Sequence, residues 1–164
     1  MKVFLSLDNP VKKWFNHEDG MLNAVSYKGG VKIMPKEGIY DVHCHIIPGV
    51  DDGASDYEET KRLLQMEYNQ GVRGIIATPH FRFQMFETPI EHIKEQFVLA
   101  QRAAAEISND LEVYLGCEFH VNMEMTEMLK AGKVSTMAGS RYVLTEFSEN
   151  SEVSYIRERI YALL

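Results

Sequence analysis

The chain has 164 residues, 45% apolar and 25% charged, which is ordinary for one globular domain with a sizeable core. No apolar run approaches the roughly 18 residues of a membrane helix, and no compact apolar stretch with a cleavage site opens the chain, so neither a membrane span nor a signal peptide is expected. The net charge of −7 is uneven: residues 1–38 hold six Lys against four acidic residues, whereas residues 39–164 hold eleven Lys or Arg against twenty, a balance unsuited to nucleic acid.

Residues 1–38 show weak periodicity and turn signals at Asn9-Pro10, Asp19-Gly20 and Gly29-Gly30. They read as an extension outside the main domain, with Met34 a candidate natural start. From Ile39 the pattern sharpens. Residues 39–45 read as a strand. Ser55 and Glu58 form a capping box that opens a helix, and Gly71 closes it. Ile75, Ile76 and Ala77 form a short continuous apolar strand, typical of a parallel sheet covered on both faces. Thr88, Pro89 and Glu91 open the next helix with Pro at its first position. Its apolar stripe is Ile90, Ile93, Phe97, Ala100, Ala104 and Ile107. Leu111, Val113 and Leu115 alternate as a strand, Glu124 to Lys130 reads as a short helix, and Tyr142 to Glu146 as another strand. A last helix carries Val153, Ile156, Ile160 and Leu163 and has no stop signal, so the chain reads as a truncated product. The alternation of strands and helices predicts an α/β fold with parallel strands.

The chemistry lies at the strand ends. Residues two apart in a strand share a face, so Asp41, His43 and His45 are expected to project together, with Cys44 pointing the opposite way. The second strand runs into Thr78-Pro79-His80, the third into Gly116-Cys117-Glu118, and a later one ends at Glu146. The loop after the first strand holds Asp51, Asp52 and Gly53. Such endings on an apolar sheet need compensating charge. Mixed imidazole and carboxylate donors suit Mn²⁺, Fe or Zn²⁺. His17 and His92 read as solvated, His120 as the start of a loop, and Met123, Met125 and Met128 as core. Cys44 and Cys117 read as free thiols in a reducing cytoplasm. His43-Cys44 also begins like the H-C-x5-R signature of cysteine phosphatases, but the phosphate-binding Arg of that signature would stand at position 50, which is Val50.

The stretches HCHIIPGVDDG, GVRGIIATPHF, MFETP and SRYVLTEFSEN, in that order and spacing, resemble the PHP (polymerase and histidinol phosphatase) superfamily. Within it they are similar to the bacterial protein-tyrosine phosphatases of capsule and exopolysaccharide operons. The likeness covers residues 39–164, an N-terminal part of a phosphatase domain. It implies a distorted, seven-stranded β/α barrel, about half of it present, with a three-metal cluster, often manganese. Carried over by position, His43, His45, Asp52, His80, Glu118 and Glu146 match the family's metal ligands, and Asp51 matches none. The implied substrate is phosphotyrosine on the tail of a capsule-regulating tyrosine kinase. Family members continue with a further His, a phosphate-binding Arg and an Asp-x-His pair. Arg82, just past His80, is a candidate phosphate contact.

The implied reaction uses a cation to lower the pKa of water from 15.7 toward about 7 and so generate the nucleophile. Tyrosine departs with a pKa of about 10, which lessens the need for a strong general acid. Two rival readings are a phosphatase of small molecules such as histidinol phosphate, and an inactive fragment. A half-built barrel leaves strand edges open, so self-association is expected.

Overall fold

The computed structural model describes residues 1–6 and 38–163. His17, Met34 and the turn signals between positions 9 and 30 lie outside the described residues.

Strands β2 (Ile39–Cys44), β3 (Val72–Ala77) and β5 (Glu112–Leu115) form a parallel sheet in the order β2-β3-β5. Parallel pairing requires long crossovers, and two helices supply them. Helix α1 (Tyr57–Asn69) links β2 to β3, and α2 (Ile90–Ile107) lies between β3 and β5. The α1 cap sits one residue later than expected. Asp56 is the N-cap and accepts from the Glu59 amide at 2.9 Å, while Ser55 Oγ donates to Glu59 Oε2 at 2.7 Å. Pro89 is the N-cap of α2 rather than its first helical residue, because its ψ of 140° is extended. Ile46, Leu64, Ile75, Ala104 and Val113 anchor the core between this sheet and the helices, with Ile90, Phe97 and Ile107 packed against it. The expected stripe of α2 is therefore the face it buries.

A second sheet begins where the first strands turn. β3 breaks at Thr78-Pro79 and resumes as β4 (His80–Phe81). β5 breaks at Gly116-Cys117 and resumes as β6 (Glu118–His120). Thr78 is buried and fixes its corner, since its amide donates to the Cys44 carbonyl at 2.8 Å and its hydroxyl accepts from the Cys44 amide at 3.1 Å. The other corner needs glycine: a Cβ on Gly116 would lie 2.8 Å from Ile76 Cγ2. β4 and β6 are two and three residues long, too short for a periodic signal, so sequence reading ended these strands early. His120 accordingly belongs to a strand.

β7 (Tyr142–Glu146) pairs in parallel with β6, and β1 (Lys2–Ser6) pairs antiparallel with β7, giving the order β1-β7-β6-β4. Residues 2–6, read from sequence as outside the domain, thus add a strand to its sheet. A second core forms behind β6 and β7 from Phe119, Val143, Phe147, Met125 and Leu163. Helix α3 (Met125–Lys130) and α4 (Val153–Leu163) border it. Met128, Ile156 and Ile160 pack there as expected. Met123 and Val153 do not, and are exposed, because Met123 precedes α3 and Val153 is the first residue of α4.

Phe119 has no solvent exposure. Phe119→Ala should cost about 3–5 kcal/mol, read as a lower urea midpoint, whereas Val98→Ala on the exposed face of α2 should stay within about 0.5 kcal/mol. Deleting residues 1–6 should bare the edge of β7, and sedimentation velocity should then show larger species than the parent chain.

Candidate metal centre

The loop after β2 carries the first donors and is closed on itself. The Ala54 amide donates to the His45 carbonyl at 3.0 Å, and the Gly49 amide to the Ala54 carbonyl at 2.8 Å. Gly53 is required, because a Cβ there would lie 2.2 Å from the His45 carbonyl oxygen. Within this loop Asp51 Oδ1 accepts from the Gly53 amide at 3.0 Å. Its Oδ2 accepts from the His80 amide at 2.9 Å and meets His45 Nδ1 at 2.8 Å.

The second sheet carries the remaining donors by register. His80 is paired with Glu118 across β4 and β6, and Glu118 with Leu144 across β6 and β7. Glu146, two residues beyond Leu144, lies on the same face. Glu118 Oε2 then faces His43 Nε2 at 2.8 Å, His45 Nε2 at 3.1 Å and His80 Nδ1 at 3.4 Å. His80 Nε2 lies 3.5 Å from Asp52 Oδ1, and the His80 ring stacks on Phe86 at 5.1 Å between centroids.

Three overlapping groups have ligand atoms all within 4.8 Å of one another: His43, His45 and Glu118; His45, Asp52 and His80; His80, Glu118 and Glu146. The six residues singled out from sequence all fall in these groups. His120 falls in none of the three, and its Nε2 lies 3.0 Å from Ser148 Oγ. Asp41 departs from expectation. The β2–β3 register shifts between Asp41 and Cys44, and this irregularity breaks the alternation of faces. Asp41 groups instead with Cys44 and Glu67, while its Oδ1 accepts from the His43 amide at 2.9 Å. Asp51 is the residue sequence reasoning missed. The signal was its place two residues before Gly53, where an Asp can bond its own loop.

Electrostatics follow from the packing. Burial disfavours the charged form of Glu118, yet the bonds of His43, His45 and Lys2 outweigh it and hold the carboxyl far below the usual range. Burial likewise pulls His45 down, but Asp51 and Glu118 reverse this and raise it to about 9. Asp51 is lowered: burial opposes ionisation, and the His45 ring and the His80 and Gly53 amides overcome it. His120 is lowered, first by burial and then by the charge of Arg82. Cys44 and Cys117 are free thiols, and burial pushes both well up, so neither offers a ready thiolate.

The donors fit a divalent cation. His80 Nδ1 is buried and makes no hydrogen bond, although it lies 3.4 Å from Glu118 Oε2. His45 has one ring nitrogen on a carboxylate and the other turned inward, the usual arrangement of a metal-binding imidazole. Two surface hollows of about 420 and 350 Å³ lie along α2 and β5 and beside Gly132, and neither includes a residue of the cluster. Among the described residues no helix is long and apolar enough to cross a membrane.

Comparison with known proteins agrees with this geometry. Residues 39–164 match the family model described as capsular polysaccharide synthesis, CpsB/CapC. The tyrosine-protein phosphatase CpsB of Streptococcus pneumoniae is 40% identical over 124 residues, which are 76% of this chain and 51% of that protein. The tyrosine-protein phosphatase YwqE of Bacillus subtilis is 28% identical over 123 residues, 75% of this chain and 48% of that one. Crystal structures of YwqE and CpsB, described as unique metal-dependent tyrosine phosphatases, include a match with a TM-score of 0.68 at 29% identity, covering 76% of this chain and 51% of the other. The chain therefore spans about half the length of the curated relatives it matches. On the match across residues 39–164, the chain belongs to the CpsB/CapC family of capsular polysaccharide synthesis.

Proposed function

We propose that this chain carries the metal-binding part of a protein-tyrosine phosphatase, with His43, His45, Asp52, His80, Glu118 and Glu146 as ligands of divalent cations, manganese first among them. One observation carries the reading: three imidazoles converge within 3.4 Å on a single oxygen of a fully buried carboxylate. The phosphatase names of the relatives support the reaction class. In this reading the two sheets are an arc of a distorted seven-stranded β/α barrel, working in the cytoplasm.

A cation bound there would supply Lewis-acid charge to the phosphoryl oxygens and an activated water. The chain's own residues set the stage for it. Asp51 fixes the ring of His45 and, through the His80 amide, the start of β4. Phe86 holds the plane of His80. Arg82, two residues beyond His80 and just past β4, is the phosphate contact we propose, since its planar donor fork suits phosphate oxygens. Asp52 is 63% exposed at its side chain, so the cluster opens to solvent there. An open rim suits a phosphate presented on a protein, and the substrate we propose is phosphotyrosine on the tail of a bacterial tyrosine kinase.

A phosphotyrosyl peptide and histidinol phosphate, offered with Mn²⁺, separate this reading from a small-molecule phosphatase. Hydrolysis of the peptide alone, abolished by a chelator, is the expected outcome. Cleavage of histidinol phosphate alone would reject the tyrosine reading. Normal Mn²⁺ uptake without hydrolysis of either would identify an inactive metal-binding fragment. Asp51→Asn, which weakens the hold on His45 without removing a ligand, should lower Mn²⁺ affinity about 10- to 100-fold in a direct binding titration.

A further inference from the structure

Antiparallel pairing of β1 with β7 sets Lys2 directly across from Glu146. Facing residues in a sheet share a side, so Lys2 joins Glu146, Glu118 and His80 on the cluster face. Its ammonium lies 2.6 Å from Glu118 Oε1 and 3.1 Å from His43 Nε2. The backbone is braced beside it: the Phe147 amide donates to the Met1 carbonyl at 2.8 Å.

We propose that Lys2 is an internal cation that fills part of the metal cage, and that a divalent ion must displace it on binding. This inference rests on the reading of the cluster as a divalent-cation site.

The contacts have the character of a charge placed in a cage. Glu118 is fully buried, and the ammonium stands at ion-pair distance from its Oε1. Lys2 therefore supplies positive charge on that side of the carboxylate. A buried carboxylate needs such compensation. The atoms Lys2 meets are also atoms a metal would need, His43 Nε2 and a Glu118 oxygen. Metal–ligand distances are about 2.0–2.2 Å. An ion bonded to both atoms would stand against the ammonium with like charge, so the two occupants exclude each other. Displacement is open to Lys2. Its side chain is 42% exposed, and its four-carbon stem can turn to solvent while β1 stays paired.

The test uses the full chain and Mn²⁺ itself. Free Mn²⁺ is followed by electron paramagnetic resonance for the parent, Lys2→Gln and Lys130→Gln. Lys130 pairs with Glu127 on exposed α3, so its replacement removes the same charge away from the cage. Amine acylation of Lys2, read by mass spectrometry, reports its release. Lys2→Gln should bind Mn²⁺ about tenfold more tightly, the scale of one charged hydrogen bond no longer broken. Lys130→Gln should match the parent, and Lys2 acylation should rise at saturating Mn²⁺. Equal affinity of all three chains, or Lys2 reactivity indifferent to Mn²⁺, would overturn the role of Lys2 while leaving the metal reading intact. Failure of every chain to take up Mn²⁺ would overturn the metal reading and this inference with it.

Discussion

The charge of Glu118 is the constraint around which the rest of the molecule is arranged. Its side chain has no solvent contact, and a carboxylate so placed is stable only among donors or cations. Burial alone would push its pKa up, and the surroundings drive it the other way. Those surroundings are three imidazoles and one ammonium, drawn from β1, β2 and its loop, and β4. None is near Glu118 in sequence, so the carboxylate is satisfied only once the two sheets have formed.

The corners at Thr78-Pro79 and Gly116-Cys117 make this possible. A straight continuation of β3 and β5 would leave His80 and Glu118 at the end of the three-stranded sheet. The register of β3 on β5 carries on unchanged from β4 to β6, so His80 and Glu118 stay neighbours through the corners and face His43 and His45. The loop from His45 to Ala54 is the matching piece on the other side. Asp51 ties it to the Thr78-Pro79 corner through the His80 amide, and Gly53 lets it close against His45. The cage is thus a product of residues 39–146 acting with one strand from the N-terminus. Each apolar core lies behind a sheet, which leaves the opposite face to the polar groups.

Much of this was legible in the residues, and the reason is local. H-x-H keeps two imidazoles close at the end of β2, and His80, Glu118 and Glu146 follow short apolar stretches that read as strands. Helix α2 was legible because its apolar stripe spans several turns, and α1 because polar capping residues and Gly71 bracket it, although the cap is Asp56 rather than Ser55. What escaped depends on contacts distant in sequence or on geometry shorter than one period. The shifted register that carries Asp41 away from His43 leaves no trace in composition. The two residues of β4 and three of β6 are too few to show alternation. β1 is five residues long, and its partner lies some 140 positions away, so nothing local announces that it belongs to the sheet. The role of Asp51 was hidden beside Asp52. Position marks Asp52 as a ligand and gives Asp51 no role, and only the direction of each carboxylate shows that Asp51 orients His45 while Asp52 faces His80.

Protons alone leave the cluster incompletely satisfied. His45, raised to about 9, carries a hydrogen on both ring nitrogens at neutral pH, one for Asp51 and one for Glu118, and a hydrogen between two nitrogens serves a single pair. His43 Nε2 and His45 Nε2 are 3.2 Å apart, and both also face Glu118 Oε2. With the His45 hydrogen on the carboxylate, a hydrogen on His43 Nε2 would face both the His45 N–H and the Lys2 ammonium, whereas a bare His43 Nε2 would face the carboxylate lone pair against lone pair. His80 Nδ1 gets no bond under this arrangement, and the ammonium of Lys2 reaches only one edge. A doubly charged ion has no such restriction, because it accepts several lone pairs at once from different directions. The convergence of nitrogen and oxygen atoms is therefore better matched to a metal than to any distribution of hydrogens.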